Sequence, residues 1–201
     1  MTMFLRRPFL RSCAIALFAS ALLAGCAGYS LVKGGERVSI GSAMSVEAPR
    51  DWNHWRGAGG TEFWTLDGPA LQHILFVEGV SNDEVPWATN QNEEEAPKFR
   101  KGMSAIEISE LIQATMANEE LQNIRIADLK PATFGGHPGF SFTMTMTSKK
   151  GLDMKGIARG AVIKDKLYMT IYRGTALHFF DRALADYEKI AGSLRIDAGE
   201  S

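Results

Sequence analysis

Between Phe140 and Thr147 every even position is large and apolar and every odd position carries a hydroxyl, Phe140-Ser141-Phe142-Thr143-Met144-Thr145-Met146-Thr147. A period of two puts alternate side chains on opposite faces, so this run predicts a strand with one face in the core and one toward solvent. A different period governs residues 103–118, where Ile108, Leu111, Ile112, Thr115 and Met116 recur at i, i+3, i+4, i+7 and i+8. That is the stripe of a helix with one buried face. Ser104, with Glu107 three positions on, has the form of a capping box at its start. A second helix is expected over residues 175–191, with Phe180, Leu184, Tyr187 and Ala191 on one side and Gly192 ending it.

Strand signals fill much of the remainder. Residues 29–32 and 37–40 flank Lys33-Gly34-Gly35-Glu36, which predicts a hairpin. Residues 63–66 and 71–77 flank the turn sequence Asp67-Gly68-Pro69. Residues 152–163 and 167–173 meet at Lys164-Asp165-Lys166, a connection short enough to make them antiparallel, and residues 193–196 can return as a last strand. Strands outnumber helices and tight turns dominate the second half. The expected class is therefore α+β, an antiparallel sheet flanked by helices, and not a doubly wound βαβ fold. Residues 79–101 break the pattern, since connections in compact domains usually run about 4–6 residues. This stretch carries Trp87, Asn90, Gln91, Asn92 and Glu93-Glu94-Glu95, punctuated by Pro86 and Pro97, and reads as either a functional lid or a disordered segment.

The amino-terminal pattern is of another kind. Arg6, Arg7 and Arg11 precede an uncharged apolar run from Cys13 to Leu23, and no acid occurs before Glu36. The run is shorter than the roughly 20 residues a membrane-spanning helix needs, so it reads as a signal peptide. It ends Leu23-Ala24-Gly25-Cys26, which resembles the lipobox of bacterial lipoproteins. That resemblance implies cleavage between Gly25 and Cys26, with fatty acyl groups of the palmitate type on Cys26. The other reading is an ordinary secretory signal that happens to end in small residues. Ala27 after the cysteine resembles lipoproteins sorted to the outer membrane, which implies its inner leaflet, facing the periplasm. Arg6-Arg7-Pro8-Phe9-Leu10 resembles a twin-arginine signal, although Leu5 stands before the pair; a merely basic start is the alternative. The expected organisation is a signal peptide over 1–25, a lipidated tether over 26–28, and one domain over 29–201 containing the 79–101 loop.

Charge and cysteine content narrow the function. The 22 Lys+Arg and 23 Asp+Glu leave a net charge of −1, which lacks the basic excess a nucleic-acid binder needs. Loss of the leader removes three arginines and no acid. With Cys13 cleaved away and Cys26 acylated, the mature chain has no thiol, so disulfides, thiolate-zinc sites and cysteine nucleophiles drop out together.

Four segments in order carry a further resemblance: Pro49-Arg50-Asp51-Trp52, Pro131-Ala132-Thr133-Phe134-Gly135-Gly136-His137-Pro138-Gly139-Phe140, Lys166-Leu167-Tyr168, and Phe180 followed by Ser193-Leu194-Arg195. Together they resemble the PsbP/Mog1-like fold, and the chain is similar to uncharacterised proteobacterial lipoproteins of that architecture. The likeness implies a bent antiparallel sheet sandwiched by helices, and an accessory or binding role without a shared active site.

Chemistry-bearing motifs are sparse. His54, His73, His137 and His178 show no metal-ligand spacing, there is no G-x-S-x-G nucleophile elbow, and Gly57-Ala58-Gly59-Gly60 lacks the Lys-Ser/Thr of a phosphate loop. No catalytic, metal or cofactor residues are assigned. One cluster stands out: Asp51-Trp52-Asn53-His54-Trp55 with Trp64-Thr65-Leu66-Asp67, an aromatic group interleaved with polar side chains. Its plain reading puts Trp52 and Trp64 in the core; its functional reading makes Trp52, His54, Trp55, Trp64 and Asp67, with Trp87 and Arg173, a ligand or partner surface. Tyr172 and Arg173, closing a strand beside the carboxy-terminal helix, are expected as neighbours of a cleft. The function expected is a membrane-anchored, non-catalytic envelope module that binds a protein partner, the alternative being a carrier of a small hydrophobic ligand between sheet and helix.

Overall fold

The computed structural model describes residues 28–57, 61–89, 92, 94–119 and 121–197. Residues 1–27, which include the expected signal peptide and Cys26, lie outside the described residues. The chain runs β1 (Tyr29–Val32), β2 (Arg37–Ile40), β3 (Met44–Glu47), β4 (Trp52–Arg56), β5 (Glu62–Thr65), β6 (Gln72–Val80), α1 (Ala105–Ala117), β7 (Gln122–Phe134), β8 (His137–Thr147), β9 (Asp153–Ile163), β10 (Lys166–Thr175), α2 (Phe179–Ser193) and β11 (Arg195–Ile196). A large sheet has the order β1-β4-β5-β6-β10-β9-β8-β7, and a small one has β11-β3-β2. Every strand pairing is antiparallel.

The central strands β6 and β10 are buried at most positions because both faces of the large sheet are covered there. On one face, α2 and the small sheet close over Trp52, Trp64, Ile74, Phe76 and Tyr172, and α2 contributes Phe180, Ala183, Tyr187 and Ile190. The other face holds Leu75, Val77, Phe142, Met144, Met169 and Ile171 under α1, which packs on β7 and β8. Burial pushes the Tyr187 phenol up to about 12, with a hydrogen bond to Thr170 opposing it. Such a group is core, held neutral.

Several expectations hold. Even positions of β8 from Phe140 onward are buried, α1 starts at Ser104 with both hydrogen bonds of the capping box, and β5 pairs with β6 across the Asp67–Pro69 turn. The β9–β10 hairpin turns on Lys164 and Asp165, with φ of 49° and 60°, the left-handed pair that suits the twist of a two-residue hairpin.

Others are corrected. β1 and β2 do not pair: β1 joins β4 in the large sheet and β2 joins β3 in the small one, so residues 33–36 cross between sheets. Gly192 lies inside α2, which runs to Ser193 and begins at Phe179, and the stop is the extended Leu194. Gly79 belongs to β6 and not to the following loop. The long edge strand β7 has no counterpart among the expected elements. Its positions are mostly exposed or half-buried, and two register shifts, with Asn123 and Asp128 both at φ 53°, interrupt its alternation.

Candidate functional site

β6 carries one residue more than its partner between Val77 and Val80, opposite Leu167 and Met169. The extra residue is accommodated at Gly79, whose φ is +65°. This bulge aims Glu78 at the β2–β3 turn, where its carboxylate accepts from the backbone N–H of Ser42 at 2.7 Å and from that of Ala43. Gly41 stands there at φ +58°, and a Cβ would fall 1.4 Å from Glu78 Oε2, so a side chain at this position would have to move the carboxylate off the turn amides. The turn, the starts of β5 and of the long loop, and the end of β6 enclose a cleft of about 650 Å³. Ile40, Phe76, Val80, Pro86 and Trp87 supply apolar wall, while Glu62, Glu78 and Glu84 supply carboxylates. Its size suits a small ligand. The expected position was between sheet and helix, but the cleft opens between sheet, β-turn and loop.

The innermost acid is Glu62, 2% exposed. It accepts from Arg56 Nη2 at 2.9 Å and from Trp64 Nε1 at 3.3 Å, and His54 Nε2 lies 3.2 Å from it. A buried carboxylate survives only with such partners. Sequence reasoning passes over Glu62; the signal available is an acid placed directly before the aromatic pair Phe63-Trp64.

A second polar chain lies on the opposite face. His73 Nδ1 is 2.7 Å from the Pro69 carbonyl, and its Nε2 is 2.7 Å from Arg173 Nε. Arginine can only donate, so Nε2 accepts, and Nδ1 carries the proton and donates it to the Pro69 carbonyl. Arg173 Nη1 reaches Glu119 Oε2 at 2.6 Å, and the other oxygen of Glu119 accepts from Trp87 Nε1. Burial first, and the Arg173 charge second, lower the His73 imidazole to about 3, against the Pro69 bond. His73 is thus neutral at ordinary pH. The chain ties the long loop to the end of α1, β10 and β6. Trp87 and Phe99 are both buried, and the backbones of Asp83 and Glu84 bond to that of Phe99.

The structure distributes the sequence-predicted residues over several places. Trp52 and Trp64 have no exposed surface and fill the core, 6.5 Å apart. His54 joins Trp64 at Glu62. Trp55 is on the other face of the sheet, stacked on Phe63 at 5.3 Å. Asp67 accepts from Arg182 of α2 at 3.0 Å. Trp87 and Arg173 meet through Glu119. Tyr172 packs beside the carboxy-terminal helix, its hydroxyl donating to the Phe180 carbonyl at 2.6 Å, strand alternation sends Arg173 to the opposite side, and neither lines the cleft. Among the described residues no group of three or more His, Cys, Asp or Glu side chains is arranged to hold a metal ion.

This architecture is that of the PsbP-like fold. The solution structure of the cyanobacterial PsbP protein CyanoP, from Synechocystis, is similar with a TM-score of 0.52 and 11% identity, over 86% of this chain and 94% of that one. The crystal structure of LpqN of Mycobacterium tuberculosis, involved in cell envelope biogenesis, aligns with a TM-score of 0.36 and 11% identity, over 86% and 87% of the two chains. No protein-family model and no curated protein matches the sequence.

Proposed function

We propose that the chain is a lipoprotein of the bacterial cell envelope whose body is a non-catalytic accessory module binding an envelope protein. Residues 1–25 are its cleaved signal peptide, Cys26 carries the lipid, residues 26–28 tether it, and residues 29–201 form one domain at the periplasmic face of the outer membrane. The observation carrying this reading is the succession of basic start, short apolar run and Leu23-Ala24-Gly25-Cys26, ending two residues before Gly28. More than one acyl chain makes such an anchor stable. The partner-binding part rests on the long loop, which holds itself to the core through Trp87 and Phe99 while Asp83, Glu84, Glu94 and Glu95 stay exposed. Those exposed carboxylates, which precede in sequence the basic Lys98, Arg100 and Lys101 at the far end of the same segment, suit a partner with a basic face and not nucleic acid. Cross-linking in intact cells tests it: the wild type yields one defined envelope partner, and Glu94→Lys with Glu95→Lys loses it while the domain stays folded. Retention of the partner by that variant contradicts the role of the loop.

The second reading, a carrier of a small hydrophobic ligand, is favoured by the apolar wall of the 650 Å³ cleft. It predicts a ligand adduct in native mass spectrometry after mild extraction, lost in Val85→Trp, which fills the cleft. A clean apo mass for the wild type contradicts it.

A further inference from the structure

The face of the large sheet beneath α1 is covered at β7 and β8; toward its other end, among the described residues, Trp55 and Phe63 are half-buried and Tyr29 and Leu31 exposed. Strand register places Tyr29, Trp55 and Phe63 side by side across β1, β4 and β5, with Leu31 two residues along on the same face. Tyr29 and Leu31 are 56% and 57% exposed. Their neighbours in sequence point the other way, Val32 into the core and Ser30 to His54 Nδ1 at 3.0 Å. The exposed pair is therefore a consequence of strand alternation with nothing among the described residues packed on its outer side. Single exposed apolar residues are ordinary, but a contiguous row joined to stacked aromatic rings marks a contact surface.

The chain itself indicates the occupant. Gly28 leads into β1 across Trp55, since a Cβ there would come within 3.2 Å of Trp55 Cδ1. Cys26 stands two residues earlier, a reach of about 7 Å when fully extended. Acyl chains on that sulfur hold the Tyr29–Trp55 end of the sheet at the headgroup boundary, where apolar faces bury about 5–10 Å deep and Trp and Tyr are favoured. We propose that Tyr29, Leu31, Trp55 and Phe63 form a membrane-contact face that lies in the phospholipid interface beside the lipid on Cys26. This rests on the anchored-lipoprotein reading and adds the orientation: the long loop and cleft are then presented at a fixed angle to the bilayer.

The experiment uses the full-length mature protein, extracted from membranes and reconstituted in phosphatidylcholine–phosphatidylglycerol vesicles with and without bromine on the acyl chains. Of the tryptophans, Trp52, Trp64 and Trp87 are buried, so contact quenching reports Trp55. The expected result is a loss of about a fifth or more of the emission in brominated vesicles, abolished in Trp55→Phe. Leu31→Asp, which keeps the indole, reduces the quenching severalfold while the protein still pellets with the vesicles. Acylated protein whose emission is the same in both vesicle types overturns the face assignment and leaves the anchor standing. Unquenched protein that forms dimers dissociated by Leu31→Asp shows a protein interface instead, and also overturns it. Absence of acyl mass overturns the anchor and this orientation together.

Discussion

Arg173 donates through Nε to His73 Nε2 at 2.7 Å, from a position 100 residues away in the chain. The two stand directly opposite in the β6–β10 pairing. This contact fixes the imidazole tautomer and places the guanidinium where it can also reach Glu119, so one side chain joins the sheet to the segment after α1 and, through Trp87, to the long loop.

Acid should weaken the fold through His73. Its pKa is about 3 in the folded protein against 6.5 for the free side chain, so between these values the unfolded chain binds the extra proton. The stability this group contributes is thus full above 6.5 and falls as pH drops toward 3, by at most about 1.4 kcal/mol per pH unit. Urea midpoints from about pH 7 to pH 4 measure it. His73→Gln, whose amide can still donate to Pro69 and accept from Arg173, should show a shallower slope than the wild type; an equal slope contradicts the assignment.

Arg173→Met should cost about 3–5 kcal/mol, because it leaves the Glu119 carboxylate, largely buried, without its cation. Loosening passes to the indole that Glu119 holds. Acrylamide quenching of Trp87, read in a background where the other tryptophans are unchanged, should rise in this variant, and unaltered quenching would show that the loop does not depend on the pair.

Gly41→Ala should displace the Glu78 carboxylate that caps the β2–β3 turn. A Cβ at φ +58° is strained even without the clash, and the Ser42 and Ala43 amides lose their acceptor. A loss of about 2 kcal/mol or more in denaturant unfolding is expected, and adding Glu78→Gln should recover little of it. A neutral Gly41→Ala contradicts the account of the bulge.

Ser104→Ala should lower stability by about 1 kcal/mol through loss of the helix cap. Glu107, whose carboxyl the Ser104 backbone and side chain hold below the usual range, should titrate higher in that variant. Carbon-detected NMR titration of Glu107 reads the direction, and an unmoved value contradicts the capping box.

What can be read from the chain divides along sequence distance. β8, α1 and the β9–β10 hairpin each carry their own periodicity, cap or turn, and all are legible. β1 looks like half of a hairpin because Gly34-Gly35 is a good turn, but its true partner, β4, lies beyond two intervening strands. β7 is hidden because an edge strand with half-covered residues and two bulges has no clean period. The plain reading of Trp52 and Trp64 as core is the right one, since two bulky indoles on an inward-facing register are what the space under α2 takes up. The Glu62 hub and the His73–Arg173–Glu119–Trp87 chain are not legible, because each is assembled by pairing or packing between segments that give no local sign of meeting.

The amino-terminal peptide of the protein isolated from its own membranes tests the account most directly. Mass spectrometry should find a mature chain beginning at Cys26, with diacylglycerol on its sulfur and a fatty acyl group on the new amine. A peptide that retains residues 1–25, or one whose Cys26 is unmodified, contradicts the anchored-lipoprotein account.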